Sequence, residues 1–166
     1  MSEAEKKMVI DACNGQWVIY FFSYYDYVKS NECLKKSLRI CDESGFNRCR
    51  VYLNFGCMYQ TVSEQSPDTG LSQKALDYCR MAFHEARKAE DWGVMMNAFG
   101  NMITISSSMG KLDSIESEMR IFLSTPQLKG NKMEYEYDWL LYEGVAALGK
   151  GENEKALRAF QRQIEK

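Results

Sequence analysis

Only two prolines and one histidine occur in 166 residues. Proline breaks helices by removing an N–H and clashing with the preceding turn. Its scarcity, together with few Val-Ile-Thr runs, points to an all-helical protein. The single histidine means that a Ser-His-Asp or Cys-His arrangement has only His84 to use. His84 stands in RMAFHEARKAE, on the polar side of a helical pattern, so a solvated surface histidine is expected. No G-x-x-x-x-G-K-[ST] or G-x-G-x-x-G phosphate-binding loop is present. Carboxylate pairs such as Glu116/Glu118 and Glu134/Glu136 lie two apart, on different faces of a helix. The chain therefore reads as a non-enzyme without a cofactor.

An excess of one charge is missing too. Twenty-one basic residues stand against 23 acidic ones, a net of −2 with no like-charged block. That leaves no basic footprint for nucleic acid and no basic amphipathic helix for a membrane surface. The longest strongly apolar run, WVIYFF at 17–22, is far too short to span a bilayer, and no leader pattern opens the chain. A cytoplasmic protein is expected, with an extracytoplasmic domain of a larger protein as the alternative. The six cysteines, Cys13, Cys33, Cys41, Cys49, Cys57 and Cys79, form no C-x-x-C pair. With one histidine, a metal site is not expected. Four of them recur every eight residues, a step that turns a helical side chain by about 80°, so they do not line one face. They read as reduced, half-buried fillers of apolar space.

What the sequence does contain is a repeat. Gly56 sits in YLNFGCMY, Gly100 in MNAFGNMI and Gly144 in LLYEGVAA, each 44 residues after the last. Large apolar residues stand at −4, −1 or +3 from the glycine: Tyr52, Phe55 and Tyr59, then Met96, Phe99 and Ile103, then Leu140. Those offsets share one helical face. A glycine inside a helix costs roughly 1 kcal/mol relative to alanine, so its recurrence implies that another helix comes close to the backbone there. Second helices follow in ALDYCRMAF, IESEMRIFL and ALRAFQRQI, and CLKKSLRIC at 33–41 reads as an earlier one, with Gly45 as its stop. Ala75 and Ala156 are the expected small neighbours of Gly56 and Gly144. Helices are expected at about 2–13, 16–28, 30–43, 46–63, 71–89, 91–108, 112–124, 131–149 and 152–165. CNGQ (13–16) reads as a break in the first long helix or as a kink in it, and TPQLKGN (125–131) reads as a loop.

This arrangement resembles the tetratricopeptide repeat family, whose pattern runs aromatic, L-G, Y, then A-x-x-x-F in the partner helix. The last unit matches most closely through Leu140, Gly144, Ala147, Gly151, Ala156 and Phe160, with Glu143 in place of the leucine. The unit at 49–89 keeps Tyr52, Phe55, Gly56, Tyr59, Ala75 and Ala82, with Cys79 in place of the aromatic. The resemblance implies a right-handed superhelix of helical hairpins in a single domain over 1–166, with repeats at about 8–45, 46–89, 91–126 and 131–166. The chain ends on the second helix of a repeat. A segment of a longer protein is therefore expected, or a C-terminal edge that meets a partner or a second copy.

In that family the first helices line a groove that holds a peptide or a partner's helix. Matched by offset from the glycines, the groove positions include Arg50, Asn54, Cys57, Gln60, Asn97, Asn101, Thr104, Asp138 and Tyr142. Asn97, Asn101 and Thr104 form a polar stripe whose amides suit a peptide backbone. No cation stands where some family members capture a chain-terminal carboxylate, and Asp138 opposes one. The reading is a protein-protein interaction scaffold, of the kind that serves as a sensory or regulatory module in bacterial signalling proteins. The competing readings are a small-molecule-sensing domain and a homo-oligomerisation module. The aromatic run at 16–29 is read either as core with a wet rim or as a partner anchor.

Overall fold

The computed structural model describes residues 1–66, 69–130 and 132–164, with side chains for all of these except 69, 129, 130 and 132–139. Among the described residues every regular element is helical. In chain order they are α1 (Glu3–Val18), a π-helical turn (Ile19–Ser23), α2 (Tyr27–Ser44), α3 (Cys49–Glu64), α4 (Thr69–Lys88) and α5 (Trp92–Ser108). A 3-10 turn (Leu112–Ile115) leads into α6 (Glu116–Ser124), followed by α7 (Pro126–Gly130), α8 (Lys132–Gly149) and α9 (Asn153–Ile164). The chain divides into two compact units, residues 1–101 and 102–166, with the division inside α5.

Local chemistry sets many of the helix ends. Ser2 and Glu5 form a reciprocal capping box at the start of α1. Asp26 caps α2 by accepting from the Lys29 N–H at 3.0 Å, and Asp91 caps α5 by accepting from the Val94 N–H at 3.1 Å. Asn47 accepts from the Cys49 N–H at 2.7 Å and donates to the Glu85 carbonyl at 3.3 Å, tying the start of α3 to α4. Gly45, as expected, ends α2 in the left-handed conformation at φ +69°, its N–H donating to the Cys41 carbonyl.

Within the first unit α1 packs on α2 and α3 on α4; within the second, α8 packs on α9. Each pair joins consecutive helices, the hairpin arrangement that the glycine spacing implies. Leu34, Val51, Phe55, Phe83, Met95 and Phe99 are fully buried in the first unit, and Met102, Ile115, Phe122, Leu128 and Leu140 in the second.

Two boundaries depart from expectation. No break occurs at Asn14-Gly15. Ile10, Cys13 and Trp17 share one buried face, and keeping all three buried holds the helix intact through the glycine. The break falls instead at 24–26, after the π-helical turn. The stretch at 125–131 is not all loop, because Pro126 opens the short helix α7 and Leu128 is buried from it. A proline at the first helical position loses no hydrogen bond.

Candidate functional site

The recurring glycines come first, because they fix how each hairpin closes. A methyl group on Gly56 would overlap the Cys79 thiol and stand 3.3 Å from the Cys79 backbone nitrogen and 3.5 Å from the Ala75 carbonyl oxygen. A methyl group on Gly144 would overlap the Phe160 ring. Ala75 and Ala156 are both buried, but they are not what fills the space of the missing side chain. The filler is the residue one turn later, Cys79 in one hairpin and Phe160 in the other. Gly100 lies half-buried within α5.

The positions just after Gly56 and Gly100 meet each other. Asn101 on α5 donates its Nδ2 to the Cys57 Sγ on α3 at 3.2 Å, across the repeat interval of 44 residues. One turn back along α3, Asn54 donates its Nδ2 to the Asn14 Oδ1 on α1 at 3.1 Å. The two bonds join α3 to α1 and to the first-unit part of α5 through half-buried polar groups. An amide has two N–H donors and an acceptor oxygen; Asn101 also reaches the Cys79 thiol, so the spare capacity lies mainly in Asn54 and Asn14. Asn97 lies exposed one turn before Asn101.

Asn14 is not among the expected groove residues, because those are offsets from the recurring glycines and α1 carries Ala12 where a glycine would stand. A signal was available: Cys13 precedes Cys57 by the same 44 residues, which continues the repeat into α1.

The remaining expected groove residues are placed differently. Arg50 is exposed, and its guanidinium lies 4.0 Å from the Asp91 carboxylate, an exposed pair worth little. Gln60 is half-buried and donates to Glu64 on its own helix at 3.3 Å. Thr104 is exposed on α5 and belongs to the second unit. Tyr142 is a packing residue there, its ring edge-on to Phe122 at 5.4 Å. The side chain of Asp138 lies outside the described residues.

His84 is half-buried rather than solvated, its ring edge-on to Phe83 at 5.4 Å. All six cysteines are free thiols. Burial pushes the Cys49 thiol up to about 11 and Cys79 up to about 12. Burial also raises Cys57, against an opposing hydrogen bond from Asn101. Thiols held up in this way are poor nucleophiles at neutral pH. Among the described residues no group of three His, Cys, Asp or Glu side chains is arranged to hold a metal ion, and no helix is long and apolar enough to cross a membrane.

The aromatic run splits between core and surface. Trp17 and Phe21 are buried, Tyr20 and Tyr27 half-buried, and Phe22, Tyr24 and Tyr25 exposed around the bend into α2. Tyr27 also donates its hydroxyl to the Gln65 Oε1 at 2.8 Å, tying α2 to the end of α3. Tyr25 carries a positive φ of 53°, a conformation that bulky residues rarely adopt. No protein-family model matches this chain, and no curated protein or solved structure matches it.

Proposed function

We propose that this protein is a non-enzymatic interaction scaffold built from divergent hairpins of the tetratricopeptide type, in which the first helices α1, α3 and α5 present a polar strip to an extended segment of a partner protein. The observation that carries this reading is the pair of bonds Asn101–Cys57 and Asn54–Asn14. The two bonds tie α3 to α1 and to α5, and a row of first helices with amides along it is what the family's groove would use. An extended peptide offers an N–H and a carbonyl at nearly every residue. Amides answer both without charge.

The strip adopted here is narrower than the full set of groove positions. It comprises Asn14, Asn54, Cys57, Asn97 and Asn101, with Gln60 and Tyr142 engaged elsewhere. A displayed library of random peptides panned on the protein tests the reading. Peptides enriched on the parent are expected to lose at least about tenfold in affinity for Asn97→Arg, about 1.4 kcal/mol. Asn97 is exposed, so the helices should be unperturbed by the change. Enriched peptides that bind the variant equally well would overturn the assignment.

A further inference from the structure

Where α1 gives way to α2, three unusual features meet at one bend. The helix widens into the π-helical turn Ile19–Ser23, a distortion that recurs at functional sites. Tyr25 takes a positive φ of 53°, and backbone strain of this kind clusters at ligand sites and switches. The Asp26 N–H then donates to the Tyr20 carbonyl at 2.8 Å, which brings Asp26 back against the π turn. The result is a cleft of about 520 Å³ lined by Gln16, Ile19, Tyr20, Tyr24, Asp26 and Lys29, within the size range of small-molecule sites. No residue of the polar strip lines it.

The cleft already holds a cation of its own. The Lys29 Nζ lies 5.5 Å from the centre of the Tyr20 ring and 3.0 Å from the Asp26 carboxylate. The Tyr24 ring stands 6.4 Å from that of Tyr20, tilted by 47°. Two aromatic rings beside a carboxylate are the surroundings that attract an ammonium group. Lys29 fills them poorly. Its distance from the ring is near the outer limit of about 6 Å for such a contact. Its side chain is 58% exposed, and an exposed ion pair stabilises little. A primary ammonium is also compact and strongly hydrated. An ammonium clothed in methyl groups sheds water more easily and has an apolar skin to set against Ile19 and the rings.

We propose that this cleft binds a methylated ammonium group between Tyr20, Tyr24 and the Asp26 carboxylate, with Lys29 as the internal cation that swings out when the ligand enters. The flexible four-carbon stem of Lys29 permits the swing. A small anion suits the cleft less, because Asp26 faces it and already neutralises Lys29. A free quaternary amine and a trimethylated lysine of another protein carry the same group, and the recognition chemistry is common to both.

Titration with tetramethylammonium chloride, followed through the backbone amide NMR signals, tests this against sodium chloride at equal ionic strength. Saturable shifts at Tyr20, Tyr24 and Lys29 are expected, and sodium should not produce them. Asp26→Asn keeps the helix cap and should weaken binding at least about tenfold. Tyr24→Leu, at an exposed ring, should weaken it at least about threefold, and Lys29→Gln, which removes the competing cation, should tighten it by a similar factor. Choline and a short peptide with one trimethylated lysine, titrated in the same way, tell the two sources apart by which binds more tightly. Shifts that sodium chloride reproduces, an affinity unmoved by Asp26→Asn, or a Lys29→Gln protein that binds no more tightly than the parent would overturn the proposal.

Discussion

Gly56 and Cys79 occupy one space between them, and that makes their interaction measurable. Gly56→Ala gains helix propensity of about 1 kcal/mol but drives a methyl into the buried thiol, an overpacking that costs roughly 1–3 kcal/mol. A net loss of about 1 kcal/mol is expected. Cys79→Ala alone should also lose about 1 kcal/mol for the vacated sulfur. Combined, the two changes relieve each other, so the double variant should be more stable than the sum of the singles by about 1 kcal/mol. Denaturant unfolding of the four proteins checks this, and additivity would show that the contact is absent. The glycine was readable in the sequence because a helix-interior glycine at a fixed interval signals close approach. Its partner was not, because which side chain fills the gap depends on the stagger of α3 against α4.

The buried thiols also set a pH dependence. An ordinary thiol titrates near roughly 8.5, whereas burial holds Cys49 up to about 11 and Cys79 up to about 12. The folded pKa lies above the unfolded one. Their contribution is therefore complete below the unfolded value and is lost as pH rises through the window toward 11 and 12. Lys74, raised by its hydrogen bond with Tyr59, acts in the same direction. The melting temperature is expected to fall steadily above about pH 9 and to fall less steeply in Cys79→Ala. A melting temperature that is flat or rising across that range would contradict the burial of these thiols.

Among the elements, four helix ends can be compared directly. Gly45, Gly110 and Gly151 follow α2, α5 and α8 with positive φ, and Glu90 does the same after α4 at φ 56°. Three of the four use the residue without a β-carbon. Left-handed backbone costs other residues roughly 1–2 kcal/mol, and glycine returns part of that as chain entropy in the unfolded state. Glu90→Gly is therefore expected to stabilise by about 0.5–1 kcal/mol. Tyr25→Gly, at the exposed bend before α2, should stabilise by a similar amount, again read by denaturant midpoint. A loss in either would mean that the side chain makes contacts that outweigh the strain.

Helix identity was legible at this scale because a 3.6-residue apolar period is a local property. Boundaries were less so. The Asn14-Gly15 turn signal yielded to the buried face of Ile10, Cys13 and Trp17, and Pro126 opened a helix once Leu128 found a place in the second unit's core. Both outcomes were set by tertiary burial, which a local reading does not weigh.

For the molecule as a whole, the 44-residue interval is the most informative feature of the sequence. It anticipated the α3–α4 and α8–α9 hairpins, and it is the interval across which Asn101 reaches Cys57. Of the proposed polar strip, Asn54, Asn97 and Asn101 follow from the glycine offsets, whereas Asn14 does not, because Ala12 stands where α1 would carry the glycine; Arg50, Gln60 and Tyr142 answer to neighbours of their own. The cleft beside the π-helical turn was not legible, because Tyr20 and Asp26 meet only through the bend.

The central claim is that α1, α3 and α5 offer their amides to a bound segment. It is tested most directly by following the side-chain amide NMR signals of Asn14, Asn54, Asn97 and Asn101 while a peptide selected on the parent protein is added. The account predicts that these four signals shift together, saturating at one affinity, with the amide of Asn31 on α2 unmoved. Shifts confined to Phe22, Tyr24 and Tyr25, with the four amides still, would contradict it.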